Sequence, residues 1–195
     1  MQPVDTYYHL AIHLIAWMAL VFVFVICVRG LRRDSQSTWM YSIVRTTSRW
    51  WVKLLYRVKV KGLENLPKTG GVLIVSNHVS YVDVVILGVV LNRPIRFLSW
   101  EGFERHWLMR WVMRSMRTIP VAEEKAKEAI HRAAEALKAG EVVCIFPEGT
   151  STDGASVRPF KPNLFESAVM AEVPVYSLAI RYLNKETGMR SNIPA

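Results

Sequence analysis

Residues 72–83 read Val72-Leu73-Ile74-Val75-Ser76-Asn77-His78-Val79-Ser80-Tyr81-Val82-Asp83, a short apolar run followed by polar residues and a helical pattern. The apolar run follows the glycine pair at 70–71, and this combination predicts a buried strand that begins after a turn. A helix is predicted from about Val79 to Leu91. His78 therefore stands where a strand passes into a helix, and ligands gather at such strand ends in α/β sheets.

The chain from residue 62 onward alternates short β-rich segments with helical ones. Further strands are predicted at 95–98, 118–121, 142–146 and 173–180, and further helices at 101–117 and 123–139. This alternation predicts an α/β fold, with a mixed or mostly parallel sheet flanked by helices.

A long apolar segment precedes this domain. Residues 10–28 contain 19 residues with one strongly polar member, His13, and as a helix they would span about 28 Å, close to the hydrocarbon thickness of a bilayer. A buried core helix and a cleaved signal peptide are the alternatives, but no basic side chain precedes the segment and no small-residue cleavage site ends it. We therefore expect a transmembrane helix, and the arginines that follow it at 29, 32 and 33 place the rest of the chain on the cytoplasmic side.

Most of the net positive charge lies just after this segment. Of the formal net charge of +9, residues 1–28 carry −1, residues 29–61 carry +8 and residues 62–195 carry +2. Basic side chains recur every fourth residue from Arg45 to Arg57 among aromatic residues, which is typical of an amphipathic helix at an anionic membrane surface. A solvated basic face packed on the domain is the alternative. A nucleic-acid-binding domain would spread its basic residues over the fold, so no nucleic-acid partner is expected.

These features divide the chain into a membrane anchor, residues 1–61, and a folded domain, residues 62–195. The anchor comprises the transmembrane helix at about 10–28 and the interfacial segment 29–61. The chain has two cysteines, too few for a disulfide framework or a four-cysteine zinc site, and no second histidine lies near His78 at ligand spacing. No metal site is expected.

Two strand ends carry residues suited to proton transfer or to binding a substrate. Asp83 lies five residues after His78, in the first turn of the predicted helix, where it can fold back to the imidazole. A carboxylate on one ring nitrogen fixes the tautomer and leaves the other nitrogen free to take a proton from a hydroxyl. The alternative is structural, because Ser80 and Asp83 also fit a helix capping box.

The second strand end is Phe146-Pro147-Glu148-Gly149-Thr150. Pro147 stiffens the exit from the strand, and Gly149 permits close approach of a ligand to the backbone. Glu148 is then an acceptor suited to substrate hydroxyl groups, although Pro-Glu-Gly taken alone is an ordinary turn.

Four blocks occur in order: Asn-His-x4-Asp at 77–83, Ile-Pro-Val at 119–121, Phe-Pro-Glu-Gly-Thr at 146–150 and Val-Pro-Val at 173–175. Together they closely resemble the glycerolipid acyltransferase superfamily, in particular the bacterial 1-acyl-glycerol-3-phosphate acyltransferases. The resemblance covers roughly residues 60–183.

The resemblance implies a catalytic role for His78 as general base and for Asp83 as its partner. The acceptor would be the sn-2 hydroxyl of 1-acyl-glycerol-3-phosphate, the donor acyl-CoA or acyl-carrier protein, and the product phosphatidic acid, without a further cofactor. Glu148, Gly149 and Thr150 would bind the acceptor. The implied location is the bacterial cytoplasmic membrane, as a single-pass protein whose catalytic domain faces the cytoplasm.

Two departures from the family pattern concern the acceptor. Many relatives read Gly-x-Ile-Pro-Val-x-Arg in the second block and Arg after Phe-Pro-Glu-Gly-Thr in the third, where this chain has Arg117, Glu123 and Ser151. Arg117 is our candidate for the missing phosphate-binding cation, with Lys125, Arg158 and Lys161 as further choices. A lyso-ornithine lipid or another lysophospholipid is an alternative acceptor, and a non-catalytic lipid-binding protein on the same fold is an alternative function.

Overall fold

The structure is a computed structural model that describes residues 39–152 and 156–183. Its centre is one five-stranded sheet with the strand order β3-β2-β4-β1-β5. The strands are β1 (Val72–Ser76), β2 (Ile95–Trp100), β3 (Ile119–Val121), β4 (Val142–Ile145) and β5 (Val175–Leu178). All pairings between these described strands are parallel. The predicted α/β fold is therefore confirmed.

Four of the described helices connect successive strands, and a further helix precedes β1. They are α1 (Trp39–Leu55), α2 (Val82–Val90), α3 (Trp107–Ser115), α4 (Ala126–Lys138) and α5 (Glu166–Ala171). None of these described helices combines the length and the apolar character needed to cross a bilayer. The transmembrane helix predicted at 10–28 lies outside the described residues.

The core has two layers because the central strands are buried on both faces. In β1, Leu73 and Val75 belong to the cluster under α4 and α5, whereas Val72 and Ile74 belong to the cluster that includes Leu87 of α2. Side chains of a strand alternate between the faces, so a continuous apolar run fills both layers. All five β1 residues are buried.

Three predicted helices have different bounds in the structure. The helix after β1 begins at Val82 rather than at Val79, because residues 77–81 form the loop that carries His78. The predicted helix 101–117 is divided into a 3-10 helix, Glu101–Arg105, and α3. A 3-10 turn, Glu123–Lys125, likewise precedes α4. The 3-10 turn Pro162–Phe165 and the helix α5 that follows it have no counterpart among the predicted elements.

Helix α1 packs on α2 by one face and exposes the other. Arg45 donates from Nε to the Gly88 carbonyl oxygen at 3.1 Å and from Nη2 to the Leu91 carbonyl oxygen, so it satisfies carbonyls at the end of α2. The row of basic residues predicted from Arg45 to Arg57 is shorter on the exposed face of α1. Arg45 faces the domain, and Arg57 lies beyond the end of the helix. The aromatic and apolar side chains of the outer face are exposed: Trp50, Trp51, Leu54 and Leu55.

Candidate active site

The candidate active site lies where three adjacent strands end. His78 follows β1, Glu148 follows β4, and Tyr182 follows β5. Because β4, β1 and β5 are neighbours and run parallel, their carboxyl ends meet at one edge of the sheet. The fold thus brings His78 into contact with Glu148, which lies 70 positions further along the chain.

His78 and Asp83 form the central contact of this edge. His78 Nδ1 lies 2.9 Å from Asp83 Oδ2, and the Asp83 side chain is fully buried while that of His78 is 13% exposed. The predicted contact is therefore present. Since an ionised carboxylate can only accept, Nδ1 donates to Asp83 and Nε2 is left as the proton acceptor.

Asp83 is held as a carboxylate by its surroundings. Burial alone would raise the pKa of Asp83, but hydrogen bonds from His78, Tyr182 and the backbone of Ser80 and Val79 outweigh it and lower the pKa below its usual value. Oδ2 accepts from the backbone nitrogens of Val79 at 2.7 Å and Ser80 at 2.9 Å. Oδ1 accepts from the Tyr182 hydroxyl at 2.6 Å.

Asp83 contacts the start of α2 as well as His78, so its structural and its catalytic interpretation are compatible. Asp83 Oδ2 accepts from the Ser80 nitrogen, as in a capping box. The other half of the box differs, because Ser80 Oγ accepts from the Val82 nitrogen at 3.3 Å and the Asp83 nitrogen donates to the Ser80 carbonyl oxygen. One carboxylate therefore orients the imidazole and fixes the start of α2.

Glu148 holds the backbone of His78. Its buried carboxylate accepts from the His78 nitrogen on Oε1 and from the Arg158 nitrogen on Oε2, both at 2.9 Å. The Thr152 nitrogen donates to the His78 carbonyl oxygen, also at 2.9 Å. The sequence predicts Glu148 as an acceptor for substrate hydroxyls. In the structure each of its oxygens binds the protein backbone, so Glu148 positions the histidine loop.

Gly149 and Thr150 are exposed beside Glu148, where an acceptor could reach them. Gly149 has φ +74°, a conformation that disfavours other residues. A Cβ built on Gly149 would lie 2.8 Å from Lys161 Nζ, so the ammonium group of Lys161 lies over this glycine. Lys161 also anchors the loop, because its backbone nitrogen donates to the Pro147 carbonyl oxygen at 2.9 Å.

Arg117 is not part of this arrangement. Its Nη2 lies 2.9 Å from Glu141 Oε1, and Glu141 precedes β4, whereas Glu148 follows it. Arg117 itself precedes β3, so both residues lie at the amino edge of the parallel sheet. The structure thus separates Arg117 from His78 and leaves it out of the candidate acceptor site.

Aromatic rings surround the histidine. The His78 ring stacks on Phe146 with centroids 4.1 Å apart and meets the edge of Tyr81 at 6.3 Å. Tyr81 contacts Phe103, which in turn contacts the exposed Trp100. These rings form an apolar surface beside the imidazole, of the kind that lines ligand sites.

Sequence reasoning gave no role to two residues of the site, Asn77 and Tyr182. Asn77 belongs to the first block, but its partner Ile180 lies 103 residues away, just after β5. Tyr182 belongs to none of the four blocks. Among the described residues, no group of three His, Cys, Asp or Glu side chains is placed to hold a metal ion.

A parallel sheet with a His–carboxylate pair at its carboxyl edge is the arrangement of an α/β protein that can activate a hydroxyl group. Residues 57–181 match the model of the family described as Acyltransferase, and the chain belongs to this acyltransferase family. The resemblance inferred from the four sequence blocks is therefore confirmed.

Individual relatives agree with this assignment. The chain is 36% identical over 143 residues to the lyso-ornithine lipid O-acyltransferase of Pseudomonas aeruginosa, covering 69% of this chain and 53% of the relative. It is 32% identical over 143 residues to the 1-acyl-sn-glycerol-3-phosphate acyltransferase of Bacillus subtilis, covering 72% and 70%. The chain therefore spans about half the length of the Pseudomonas relative and more of the Bacillus one.

A solved structure shares the fold. The crystal structure of the 1-acyl-sn-glycerophosphate acyltransferase PlsC from Thermotoga maritima superposes with a TM-score of 0.60, at 24% identity, over 82% of this chain and 68% of that one. The two proteins therefore share the same overall fold.

Proposed function

We propose that this protein is an O-acyltransferase that transfers a fatty acyl group from a thioester donor to the hydroxyl group of a lysolipid. The observation that carries the proposal is the His78–Asp83 contact at the carboxyl edge of the sheet, in a chain of the acyltransferase family. The donor is acyl-CoA or acyl-carrier protein, and no further cofactor is required.

The geometry suggests how the transfer proceeds. Nε2 of His78 takes the proton of the acceptor hydroxyl while Asp83 stabilises the imidazolium that forms. The hydroxyl oxygen attacks the thioester carbonyl carbon, a C–O bond forms and the C–S bond breaks. The proton passes from the imidazolium to the departing sulfur, so the products are the ester and a free thiol, and His78 is again neutral.

The first candidate acceptor is 1-acyl-glycerol-3-phosphate, acylated at its sn-2 hydroxyl to give phosphatidic acid in phospholipid biosynthesis. Lys161 supplies positive charge over Gly149, at the same edge of the sheet as His78, and the backbone of Arg158 lies beside Glu148. Lys161 would replace the family arginine that is Ser151 here, because its ammonium already lies over Gly149. An ammonium group is a good point-charge partner for phosphate.

The second candidate acceptor is a lyso-ornithine lipid. It is favoured by the similarity to the Pseudomonas lyso-ornithine lipid O-acyltransferase and by Glu123 and Ser151, which replace two arginines of the family pattern. An acceptor without a phosphate monoester has less need of those cations.

We further propose that the protein works at the cytoplasmic surface of an anionic membrane as a single-pass protein. The exposed outer face of α1 supports this, because tryptophan, leucine and basic side chains share it. The segment 10–28 would provide the anchor.

The experiment is a thiol-release assay with acyl-CoA and a panel of lysolipids, including both candidate acceptors. We expect one acceptor to be used and His78→Ala to lower the rate by about 10²–10⁴, the usual worth of a general base. His131→Ala, on the exposed face of α4, is the control and should keep the wild-type rate. Lysolipid binding without ester formation at every acceptor would favour the non-catalytic alternative.

A further inference from the structure

Tyr182 makes a contact to the catalytic pair that the proposed mechanism does not use. Its hydroxyl donates to Asp83 Oδ1 at 2.6 Å, the carboxylate oxygen that His78 does not contact. Burial and the adjacent carboxylate both raise the pKa of Tyr182, so the tyrosine stays protonated and can only act as a donor toward Asp83. The carboxylate is thus bound from both sides, by His78 on Oδ2 and by Tyr182 on Oδ1.

The segment that carries Tyr182 is fixed to β1 through a side-chain amide. Asn77 Nδ2 donates to the Ile180 carbonyl oxygen at 3.0 Å, and the Ile180 nitrogen donates to Asn77 Oδ1 at 2.7 Å. This two-bond contact resembles one further step of the β1–β5 pairing, which ends at Ser76 and Leu178. Asn77 therefore holds the chain two residues before Tyr182.

Tyr182 is also packed from the side of the helices. It lies against the cluster formed by Val52, Ile86 and Val89, and its ring meets the edge of Tyr56 at a centroid distance of 6.4 Å. The ring position is therefore determined by packing, and the hydroxyl position by the segment at 180–182.

We infer that Tyr182 is a positioning residue for the acyl transfer, placed on Asp83 by the Asn77–Ile180 contact. Asp83 can orient the imidazole only while the plane of its own carboxylate is fixed. Three of its four hydrogen bonds fall on Oδ2, and Tyr182 is the partner of the other oxygen. The Asn77 side chain thereby acts on the chemistry through the segment at 180–182 that follows β5, although Asn77 adjoins His78 in sequence.

The inference rests on the proposed function and is tested with Tyr182→Phe in the full-length protein. The variant keeps the ring and its packing and removes one hydrogen bond to a charged group. We expect kcat to fall about tenfold with an unchanged KM for acyl-CoA. Tyr56→Phe, which removes a hydroxyl from the other ring of the same pair, should keep the wild-type kcat.

The placement by Asn77 is tested with a double-mutant cycle. Asn77→Ala should lower kcat as well, because it releases the segment that places the Tyr182 hydroxyl on Asp83. The double variant Asn77→Ala/Tyr182→Phe should be no slower than the slower single variant, because each change alone already costs the hydrogen bond from Tyr182 to Asp83. If the fold-decreases in kcat of the two single variants multiply in the double variant, the link between Asn77 and Tyr182 is overturned.

A stability measurement separates this inference from the proposed function. Tyr182→Phe should lower the midpoint of urea unfolding at pH 7, and the loss should shrink as the pH falls through the folded-state pKa of Asp83, because protonation of Asp83 weakens the bond. A packing defect would lower the midpoint equally over the whole pH range. Equal loss together with a wild-type kcat overturns the inference and leaves the function intact. An inactive wild type on every lysolipid overturns the proposed function, while the pH-dependent loss would still report the bond.

Discussion

At the scale of the residue, the Asp83 carboxylate is the most constrained group of the site. It is fully buried and accepts four hydrogen bonds. A buried charge is tolerated only when its hydrogen bonds are satisfied, and here the same bonds begin a helix and orient a histidine. Loss of the charge should therefore affect both stability and turnover.

The depressed pKa of Asp83 predicts how stability depends on pH. A carboxyl group whose folded-state pKa lies below its unfolded value of about 3.9 adds stability above that pH and loses it as the pH falls through the folded-state pKa. Asp83→Asn should therefore lower the free energy of unfolding by about 2–3 kcal/mol at pH 7 and by less near pH 3. Urea unfolding followed by circular dichroism measures both values.

The control for this prediction is Glu135→Gln, a change at an exposed position of α4. It should leave the unfolding free energy nearly unchanged at both pH values. A loss for Asp83→Asn that is as large at pH 3 as at pH 7 would contradict the assignment of Asp83 as a stabilised carboxylate.

Arg117 stands where the family pattern has glycine, and its backbone has the conformation that favours glycine. Its φ is +53°, in the left-handed region, where a side chain costs about 1–2 kcal/mol and where many relatives have glycine. The ion pair with Glu141 offsets part of this cost. Arg117→Gly should therefore be more stable than Arg117→Ala by about 1 kcal/mol, although alanine is the better residue in regular helices.

Thermal unfolding of the two Arg117 variants tests this order. The same pair of substitutions at Arg114, an exposed residue within α3, is the matched control and should give the opposite order, with alanine more stable than glycine. An alanine variant at 117 that melts above the glycine variant would show that the left-handed backbone is not retained.

At the scale of the element, α1 is the part of the described chain whose surface is least explained by the fold. Trp51 is 63% exposed and Leu54 is 77% exposed, next to the basic side chains of Arg49 and Lys53. The amphipathic helix was predictable from the four-residue spacing of its basic residues. The sequence did not predict that Arg45 points inward, because this direction depends on the carbonyl groups at the end of α2.

Nitroxide labels can test whether this face enters a membrane. A label on Leu54→Cys should become more accessible to oxygen and less accessible to a water-soluble relaxation agent in anionic vesicles, because apolar side chains of an interfacial helix lie below the headgroups. A label on Val169→Cys in α5, which is 75% exposed, is the matched control and should stay water-accessible. Both labels require Cys27→Ser; the buried Cys144 can stay. Equal accessibility at the two sites would contradict the membrane contact.

Element boundaries were predictable only where local patterns decide them. The strands β1 and β4 and the helix α4 were found because their apolar residues recur with the period of one structure. The start of α2 was placed three residues early, since the cap depends on the Asp83 side chain. Helix α5 was missed because it has only six residues, too few for a periodic signal.

At the scale of the whole molecule, the sequence allowed the fold class, the family and the His78–Asp83 contact to be predicted. The contact is local, five residues apart, and so lies within reach of sequence reasoning. The role of Glu148 was predicted differently from its observed contacts, because its partners His78 and Arg158 come from other parts of the chain. Tyr182 lies 99 residues from Asp83, and no local pattern connects them.

The strand order also affects when the site can form as the chain folds. Its residues come from the ends of β1, β4 and β5. Bringing these strands together closes long loops, and the entropy lost in doing so precedes the favourable contacts of the site. During synthesis β1 leaves the ribosome early, but its neighbour β5 leaves about 100 residues later. A nascent chain therefore carries His78 without its completed surroundings until the last strand is made. The order of the sheet in this way delays assembly of the site until nearly all of the described chain has been synthesised.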